Sequence, residues 1–174
     1  QRQMCIRDRV RGGNIPKEFI PAIEKGFKGI MEQGPLAKFP VQNMEVTIKD
    51  GSYHPVDSDS LSFELAAQAG FRAAAGKTNP KITEPILAVE VSTPPENTGA
   101  ITGDLNKRRG IIKDMTLENG RQYITADVPL SELFGYITDL RTISSGRATA
   151  SMTFAHYAIV PSHLAEKIIE KNHV

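Results

Sequence analysis

The second half of the chain carries an internal repeat, and this repeat constrains the fold more than any other feature of the sequence. The segment beginning at Glu96 follows the pattern E-x-x-G-x-I-T-G-D-L, and the segment beginning at Glu132 follows E-x-x-G-x-I-T-D-L. The Glu, Gly, Ile and Thr positions match at an offset of 36 residues, and the Asp-Leu pair follows with a slip of one residue. Each copy lies between strand-like runs. The repeat therefore predicts two strand–helix–strand units, the arrangement of a split β-α-β, ferredoxin-like domain.

Asn119-Gly120 joins the two middle strands of this predicted domain. Asn-Gly between alternating runs is a strong signal for a two-residue hairpin, because both central positions of that turn need a positive φ. In this register Glu118 faces Arg121 and Met115 faces Ile124, which pairs opposite charges and two apolar side chains. The hairpin and the repeat together predict a ferredoxin-like domain over residues 85–174.

The first half of the chain predicts an α+β domain of a different kind. An apolar stripe at helical spacing begins at Ile20 and ends at Gly34-Pro35. Residues 41–48 alternate like a strand, and the alanine-rich run after Ser60 predicts a second helix. The polar, proline-bounded segment KTNPKITEP then predicts a boundary that separates residues 10–84 from residues 85–174.

The first nine residues, QRQMCIRDR, show no periodicity and no helix cap. We interpret them as a non-native scar or a disordered end and leave them out of the predicted fold. The single cysteine, Cys5, lies there, so no internal disulfide and no Cys-x-x-Cys zinc pair is predicted. No apolar run reaches the roughly 18 residues that a membrane span needs. We expect a cytoplasmic protein that does not bind a membrane.

The sequence gives no positive sign of an enzyme. None of the four histidines, His54, His156, His163 and His173, lies in a recognised catalytic signature. The chain also lacks G-x-S-x-G, H-E-x-x-H and G-x-x-x-x-G-K-[ST] motifs. We predict no catalytic residue, cofactor or metal site. An unrecognised enzyme that uses His54 with Asp57 or Asp59 stays open as an alternative.

The segment DGSYHPVDSDS at residues 50–60 is the candidate contact site of the first half. A solvated loop histidine is the simpler alternative, but Tyr53 and His54 lie side by side in this loop. Both rings can stack on bases or form hydrogen bonds to phosphate and 2′-hydroxyl groups. The turn residues and the proline favour a stiff tip suited to contact rather than catalysis. The predicted contact residues are Asp50, Gly51, Ser52, Tyr53, His54, Pro55 and Asp57.

The segment GDLNKRRG is the candidate contact site of the second half, where Lys107, Arg108 and Arg109 end a predicted helix. Cations at a helix C-terminus are favoured by the helix dipole, so a structural role and phosphate contact are both open. The segment DLRTISSGR takes the matching place in the second repeat. There a local ion pair or cap involving Asp139 and Arg141 is favoured over a site.

Five segments, taken in order, resemble the C-terminal part of bacterial elongation factor G, the ribosomal translocase. They are IPKEFIPAIEKGF, DGSYHPVDSDS, EPILAVEVSTP, GDLNKRRG and LFGYITDLRTISSGRA. The resemblance runs from about Val10 to Asn172. It implies that residues 10–84 are an incomplete fourth domain, without its opening strands, and that residues 85–174 are the ferredoxin-like fifth domain of a multidomain GTPase.

The resemblance also implies roles for the candidate residues. His54 takes the place of the tip histidine that approaches the duplex of transfer RNA and messenger RNA in the decoding region. Lys107, Arg108 and Arg109 take the place of a basic helix end that contacts ribosomal RNA near the GTPase-associated centre. Pro55 departs from the family pattern, in which an acidic residue more often follows the histidine.

Partners and cofactors follow from the same resemblance. The expected partners are the ribosome and the N-terminal domains of the same parent chain. GTP and Mg²⁺ would bind in the missing nucleotide-binding domain, so no cofactor and no GTPase activity are expected within these residues. A ribosome-protection factor and a free-standing ferredoxin-like regulatory or interaction module stay open as alternatives.

Overall fold

A computed structural model describes residues 4–8 and 14–172 and divides the chain into two units. The first unit comprises the described residues up to Lys81 together with those from Pro161 onward, and the second comprises Ile82–Val160. The strands and helices are, in chain order, β1 (Met4–Asp8), α1 (Ile20–Met31), β2 (Met44–Ile48), α2 (Ser60–Ala75), β3 (Thr83–Thr93), α3 (Thr98–Lys107), β4 (Ile111–Glu118), β5 (Arg121–Pro129), α4 (Tyr136–Ser144), β6 (Thr149–Ile159) and α5 (Ser162–Asn172).

The second unit is built on a four-stranded antiparallel sheet in the order β4-β5-β3-β6. This order interleaves two strand–helix–strand units, so the ferredoxin-like prediction is confirmed. Alternate residues of the two central strands point toward α3 and α4, because successive strand side chains face opposite sides of a sheet. Val89, Val91 and Ile124 are at most 1% exposed and form the centre of this core.

The predicted hairpin is confirmed in its register. Glu118 lies opposite Arg121 and Met115 opposite Ile124, and Asn119 and Gly120 have φ values of 50° and 75°. The apolar pair is nevertheless uneven, since Ile124 is fully buried while Met115 is 50% exposed. Met115 lies on β4, which is an edge strand of the sheet.

The repeat is confirmed, but its structural register differs from the offset of 36 residues that most matched letters suggest. Pro94 and Pro129 both precede a short 3-10 turn with φ of −60°. In the helices, Ile101 corresponds to Tyr136, and Leu105 corresponds to Leu140. All of these pairs are 35 residues apart. The slipped Asp-Leu pair therefore marks the true register, because burial of the helix face decides the alignment.

In the first unit α1 packs against α2. The apolar stripe of α1 contributes Ile23 and Met31 to the interior, and α2 contributes Ala67, Phe71 and Ala75. The two helices approach closely at Gly26, where a Cβ atom would collide with the backbone carbonyl of Glu64. Both helices occur where the sequence predicts them, and β2 begins at Met44, within the predicted strand.

Residues 1–9 were predicted to lie outside the fold, and for Met4–Asp8 this is wrong. These residues form β1, which pairs in parallel with β2 along its whole length. Strands pair through backbone N–H and C=O groups, so a segment without side-chain periodicity can still form a strand. Residues 1–3 and 9–13, including the predicted domain start at Val10, lie outside the described residues, and the origin of the segment stays a prediction.

The division between the units lies at Lys81 and Ile82, three residues before the predicted boundary. Thr83 and Glu84 already pair with the last residues of β6 and thus belong to the second sheet. The structure also groups α5 with the first unit rather than with residues 85–160. None of the described residues of α5 is buried.

Candidate functional site

The base of the loop at residues 50–58 is held by Asp50. Its Oδ1 accepts hydrogen bonds from the side-chain amide of Asn14 and from the backbone N–H of Gly51, each at 2.8 Å. The Asn14 bond, with the Gly51 bond after it, lowers the pKa of Asp50 below its usual value. The Ile15 side chain fills the space where Gly51 would carry a Cβ. Asp50 and Gly51 therefore shape the loop base.

Tyr53 anchors the loop to the helical core. Its ring centroid lies 5.6 Å from that of Phe19, which in turn stacks on Phe63 at 4.7 Å. Tyr53 remains 38% exposed. The sequence suggested that this ring stacks on bases, but one side of it is committed to an intramolecular aromatic contact. Ser52, the neighbouring predicted residue, is exposed.

His54 begins a closed turn. Its backbone N–H donates to Ser58 Oγ at 3.0 Å, and the Ser58 N–H donates back to the His54 carbonyl at 3.0 Å. Pro55, Val56 and Asp57 form the turn between them. The His54 ring faces Asp57, with 3.1 Å between Nδ1 and Oδ2. These contacts agree with the predicted stiff tip.

The apex of the loop carries a residue that sequence reasoning missed. Val56 is 85% exposed, more than any other large apolar residue among those described. A lone apolar residue between a proline and an aspartate was the available signal. His54, with 64% of its side chain exposed, lies two positions before Val56. The apex thus presents an imidazole and an isopropyl group.

The charge of the loop is acidic rather than basic. Asp50, Asp57 and Asp59 are exposed, and Lys49 is the nearest cation along the chain. Asp59 caps α2, because its Oδ1 accepts from the N–H and the hydroxyl of Ser62 at 2.6 Å each. The Ser62 hydroxyl and then its N–H lower the pKa of Asp59. An acidic tip does not attract phosphate groups.

Arg108, predicted to contact RNA, is occupied within the second unit. Its Nε donates to Asp104 at 2.8 Å, its Nη1 donates to the Glu132 carbonyl at 2.6 Å, and its Nη2 donates to Asp139. The guanidinium also lies over the Tyr136 ring. Only 15% of the side chain is exposed. Arg108 thus joins the end of α3 to the start of α4.

Arg109 is occupied in a similar way. Both of its terminal nitrogens contact the Glu84 carboxylate, and Nη1 lies 3.5 Å from Glu132 Oε1. The bond to Glu84 raises the pKa of Arg109 further above its usual value. Arg109 adopts φ of 59° and is followed by Gly110, which places it at the turn into β4. Its contacts tie that turn to β3.

Lys107 is the one exposed cation of the predicted trio, and no ion pair forms at it within the described part of the chain. In the second repeat, Asp139 pairs with Arg108 instead of Arg141. Arg147 pairs with Glu96 at 2.6 Å. Arg147 is exposed as well, but Lys107 and Arg141 are the exposed basic groups of these two segments for which the described residues supply no ion pair.

The described residues contain no group of three His, Cys, Asp or Glu side chains placed to hold a metal ion. In the same residues, no helix has both the length and the apolar character needed to cross a membrane. The His54–Asp57 pair brings an imidazole and a carboxylate together, but no hydrogen bond between the ring and a serine, threonine or cysteine side chain occurs among the described residues.

Comparisons with known proteins cover both units in order. A family model for domain IV of elongation factor G matches residues 1–79, and a model for the elongation factor G C-terminus matches residues 81–168. The elongation factor G of Cytophaga hutchinsonii is 62% identical over 166 residues, which are 95% of this chain and 24% of the relative. That of Amoebophilus asiaticus is 61% identical over 171 residues, which are 98% of this chain and 24% of the relative.

A solved structure of a Thermus thermophilus protein is similar in fold. It matches with a TM-score of 0.91 and 36% identity, over 98% of this chain and 26% of the solved chain. The chain therefore spans about a quarter of the length of the relatives it matches.

Proposed function

The chain belongs to the elongation factor G family, and on this premise we propose that it is the part of a translational GTPase that promotes movement of transfer RNA and messenger RNA through the ribosome. In this proposal the loop at residues 50–58 enters the decoding region of the small subunit. The second unit contacts the large subunit near its GTPase-associated centre. The proposed setting is the cytoplasm, and the further partner is the remainder of the same parent protein.

One observation carries the proposal for the first unit. An exposed loop, closed by two hydrogen bonds between His54 and Ser58, presents His54 and Val56 at its apex. The loop is fastened to the body of the unit through Asp50 and Tyr53. A preorganised tip can occupy a site without the entropic cost of ordering a flexible loop. This supports a steric role, in which the tip fills space vacated by transfer RNA and hinders its return.

The electrostatic part of the mechanism lies elsewhere in the chain. The tip is acidic, so attraction to RNA phosphates does not arise there. In the second unit Lys107 and Arg141 are the exposed cations of the two repeat segments that form no ion pair with the described residues, whereas the exposed Arg147 pairs with Glu96. They are the proposed phosphate contacts, while Arg108 and Arg109 hold the helix end in shape. Of the three predicted RNA-contacting cations, only Lys107 is therefore kept as a phosphate contact, and Arg141 from the second repeat is added.

We propose that GTP and Mg²⁺ bind in another part of the parent protein rather than in this chain. The 174-residue sequence has no phosphate-loop motif, and no metal-binding cluster is found in the described residues. No step of the proposed mechanism is therefore assigned to nucleotide chemistry within this chain. Its residues act by shape and by contact with RNA.

A chimaera tests the proposal. The matching quarter of the Amoebophilus asiaticus relative would be replaced by this chain, and single-round movement of fluorescent messenger RNA on ribosomes would be followed. We expect the chimaera to translocate at a rate close to that of the relative. A chimaera that binds ribosomes and hydrolyses GTP without moving messenger RNA would contradict the proposal and favour a non-translocating paralogue.

A further inference from the structure

We propose that Asp57 is a positioning residue that fixes the tautomer of His54, so that the tip offers Nε2 as a hydrogen-bond acceptor to a ribose 2′-hydroxyl or a base amino group. The identity of the ligand rests on the proposed function. The state of the imidazole rests on the loop alone.

The tautomer follows from the contact between the two side chains. Nδ1 of His54 lies 3.1 Å from Oδ2 of Asp57. An ionised carboxylate can only accept hydrogen bonds, so at this distance it stabilises the tautomer in which Nδ1 carries the proton. In a neutral imidazole the other nitrogen, Nε2, then keeps its lone pair. A neutral His54 therefore offers an acceptor at the nitrogen that Asp57 does not contact.

The backbone keeps the ring and the carboxylate in place. The bonds between His54 and Ser58 close the turn on both sides of residues 55–57. Pro55 restricts the φ of the first turn residue. The turn itself thus places Asp57 close to the His54 ring. The contact between the two side chains adds to a geometry that the backbone already favours.

The chemistry of the tip selects among the groups that RNA presents. Phosphate oxygens accept hydrogen bonds and carry negative charge, so they match neither an Nε2 acceptor nor a loop that carries Asp50 and Asp57 and is followed directly by Asp59. A ribose 2′-hydroxyl and the exocyclic amines of bases can donate. Val56 adds an exposed apolar group beside the imidazole. The tip is therefore suited to a sugar or base edge rather than to the phosphate backbone.

The tautomer is tested by long-range ¹H–¹⁵N NMR of the imidazole rings in the 174-residue chain, over a pH series that reaches the neutral plateau. We expect neutral His54 to be protonated at Nδ1. In Asp57→Ala the population should move toward the Nε2–H form, whereas Asp57→Asn, which keeps a carbonyl acceptor, should preserve part of the Nδ1–H form. His156, an exposed histidine of β6, is an internal control that should not change.

Two results would overturn the assignment. One is a wild-type His54 that is protonated at Nε2 in its neutral form. The other is an Asp57→Ala variant whose tautomer equals that of the wild type. Unchanged amide signals outside residues 50–60 would show that the variants remain folded, so either result would count against the proposal.

The ligand is tested with small subunits programmed with messenger RNA and transfer RNA, using codons of ribose or 2′-deoxyribose. If Nε2 accepts from a 2′-hydroxyl, the deoxy substitution should weaken binding of the wild type by about fivefold. In His54→Ala the same substitution should have little effect. Equal losses in both proteins would exclude the 2′-hydroxyl as the donor to Nε2. A base amine would then be tested by inosine-for-guanosine substitution, and equal losses there would overturn the acceptor role of Nε2. No binding to either complex would contradict the proposed function while leaving the NMR result intact.

Discussion

The guanidinium of Arg108 lies over the ring of Tyr136, with 5.2 Å between Cζ and the ring centroid. The cation is thus placed against the negative face of an aromatic ring. Arg108 comes from the end of α3 and Tyr136 from the start of α4, so this contact joins the two halves of the repeat. Arg108, which the sequence suggested for RNA binding, therefore connects α3 to α4 within the fold.

Replacing Arg108 tests this structural role. Arg108→Ala should lower the free energy of unfolding of the second unit by about 2–3 kcal/mol, because Asp104, Asp139 and the Glu132 carbonyl lose a donor together. Urea unfolding followed by amide signals of β3 and β5 measures the loss. Lys107→Ala is the matched control and should change stability by less than about 0.5 kcal/mol. Equal effects of the two substitutions would contradict the assigned roles.

Substitution of Tyr136, unlike that of Arg108, should not lower the free energy of unfolding. Its hydroxyl is buried and finds no hydrogen-bond partner among the described residues, so Tyr136→Phe should be neutral or stabilising by about 1 kcal/mol at neutral pH. Burial, together with the nearby Asp104 charge, raises the pKa of Tyr136 from 10.0 to about 12. A destabilised Phe variant at neutral pH would show that the hydroxyl has a partner in solution.

The same residue gives a pH dependence. The raised pKa means that the folded protein keeps the phenolic proton after the unfolded chain has lost it. The contribution of the buried phenol to the free energy of unfolding is complete below pH 10 and is lost as pH rises toward about 12. The free energy of unfolding should fall by up to about 2–3 kcal/mol over this range. Unfolding of the wild type and of Tyr136→Phe should be compared at about pH 9 and about pH 11, on either side of the ordinary tyrosine pKa. A difference that stays constant would contradict this prediction.

Two glycines of α1 should respond oppositely to alanine. At Gly26 a Cβ would collide with the Glu64 carbonyl of α2, so Gly26→Ala should destabilise the first unit by about 1–3 kcal/mol. At Gly29 no heavy atom of the described residues, apart from its chain neighbours and the backbone of the same helix, lies within 4 Å of the position that a Cβ would take. Gly29→Ala should therefore stabilise the helix by about 0.5–1 kcal/mol. Thermal unfolding of both variants checks the pair. A stabilising Gly26→Ala would disprove the close helix contact.

Acid stability should depend on Asp59. Its pKa is lowered from 3.8 by the Ser62 hydroxyl and N–H, so the stabilising contribution is present above pH 3.8 and is lost as pH falls through the folded-state pKa. Asp59→Asn keeps a good N-cap without a titrating group. The advantage of the wild type over this variant should shrink as pH falls below 3.8. An advantage independent of pH, measured by helix signals of α2, would contradict the cap assignment.

Local signals in the sequence account for much of this fold. The Asn119-Gly120 turn, the apolar stripe of α1 and the alanine-rich run of α2 are each local features, so the sequence pattern is sufficient to predict them. The tip loop was predicted for the same reason. Its closure by Ser58 depends on a residue only four positions from His54.

Contacts between distant segments were not predictable in the same way. Arg108 finds Glu132 and Asp139 at separations of 24 and 31 residues, and these partners become visible only when α3 and α4 pack together. The offset of 36 residues was misleading because the matched Gly and Thr residues are not among the buried residues. Ile101 and Tyr136, which correspond in the structure, both lie in the core. β1 was missed because its pairing uses backbone groups that any such sequence supplies.

We propose above that the loop at residues 50–58 reaches the decoding region of the ribosome, and directed cleavage of ribosomal RNA tests this placement. Cys5 is the single cysteine of the sequence, so a Cys5→Ser, Val56→Cys variant can carry one tethered iron chelate for hydroxyl-radical cleavage of ribosomal RNA. A Cys5→Ser, Lys107→Cys variant serves as the comparison. We expect cleavage of small-subunit RNA around the decoding region from position 56 and of large-subunit RNA from position 107. Failure to bind ribosomes, or binding without decoding-region cleavage from position 56, would contradict the proposed position of the loop.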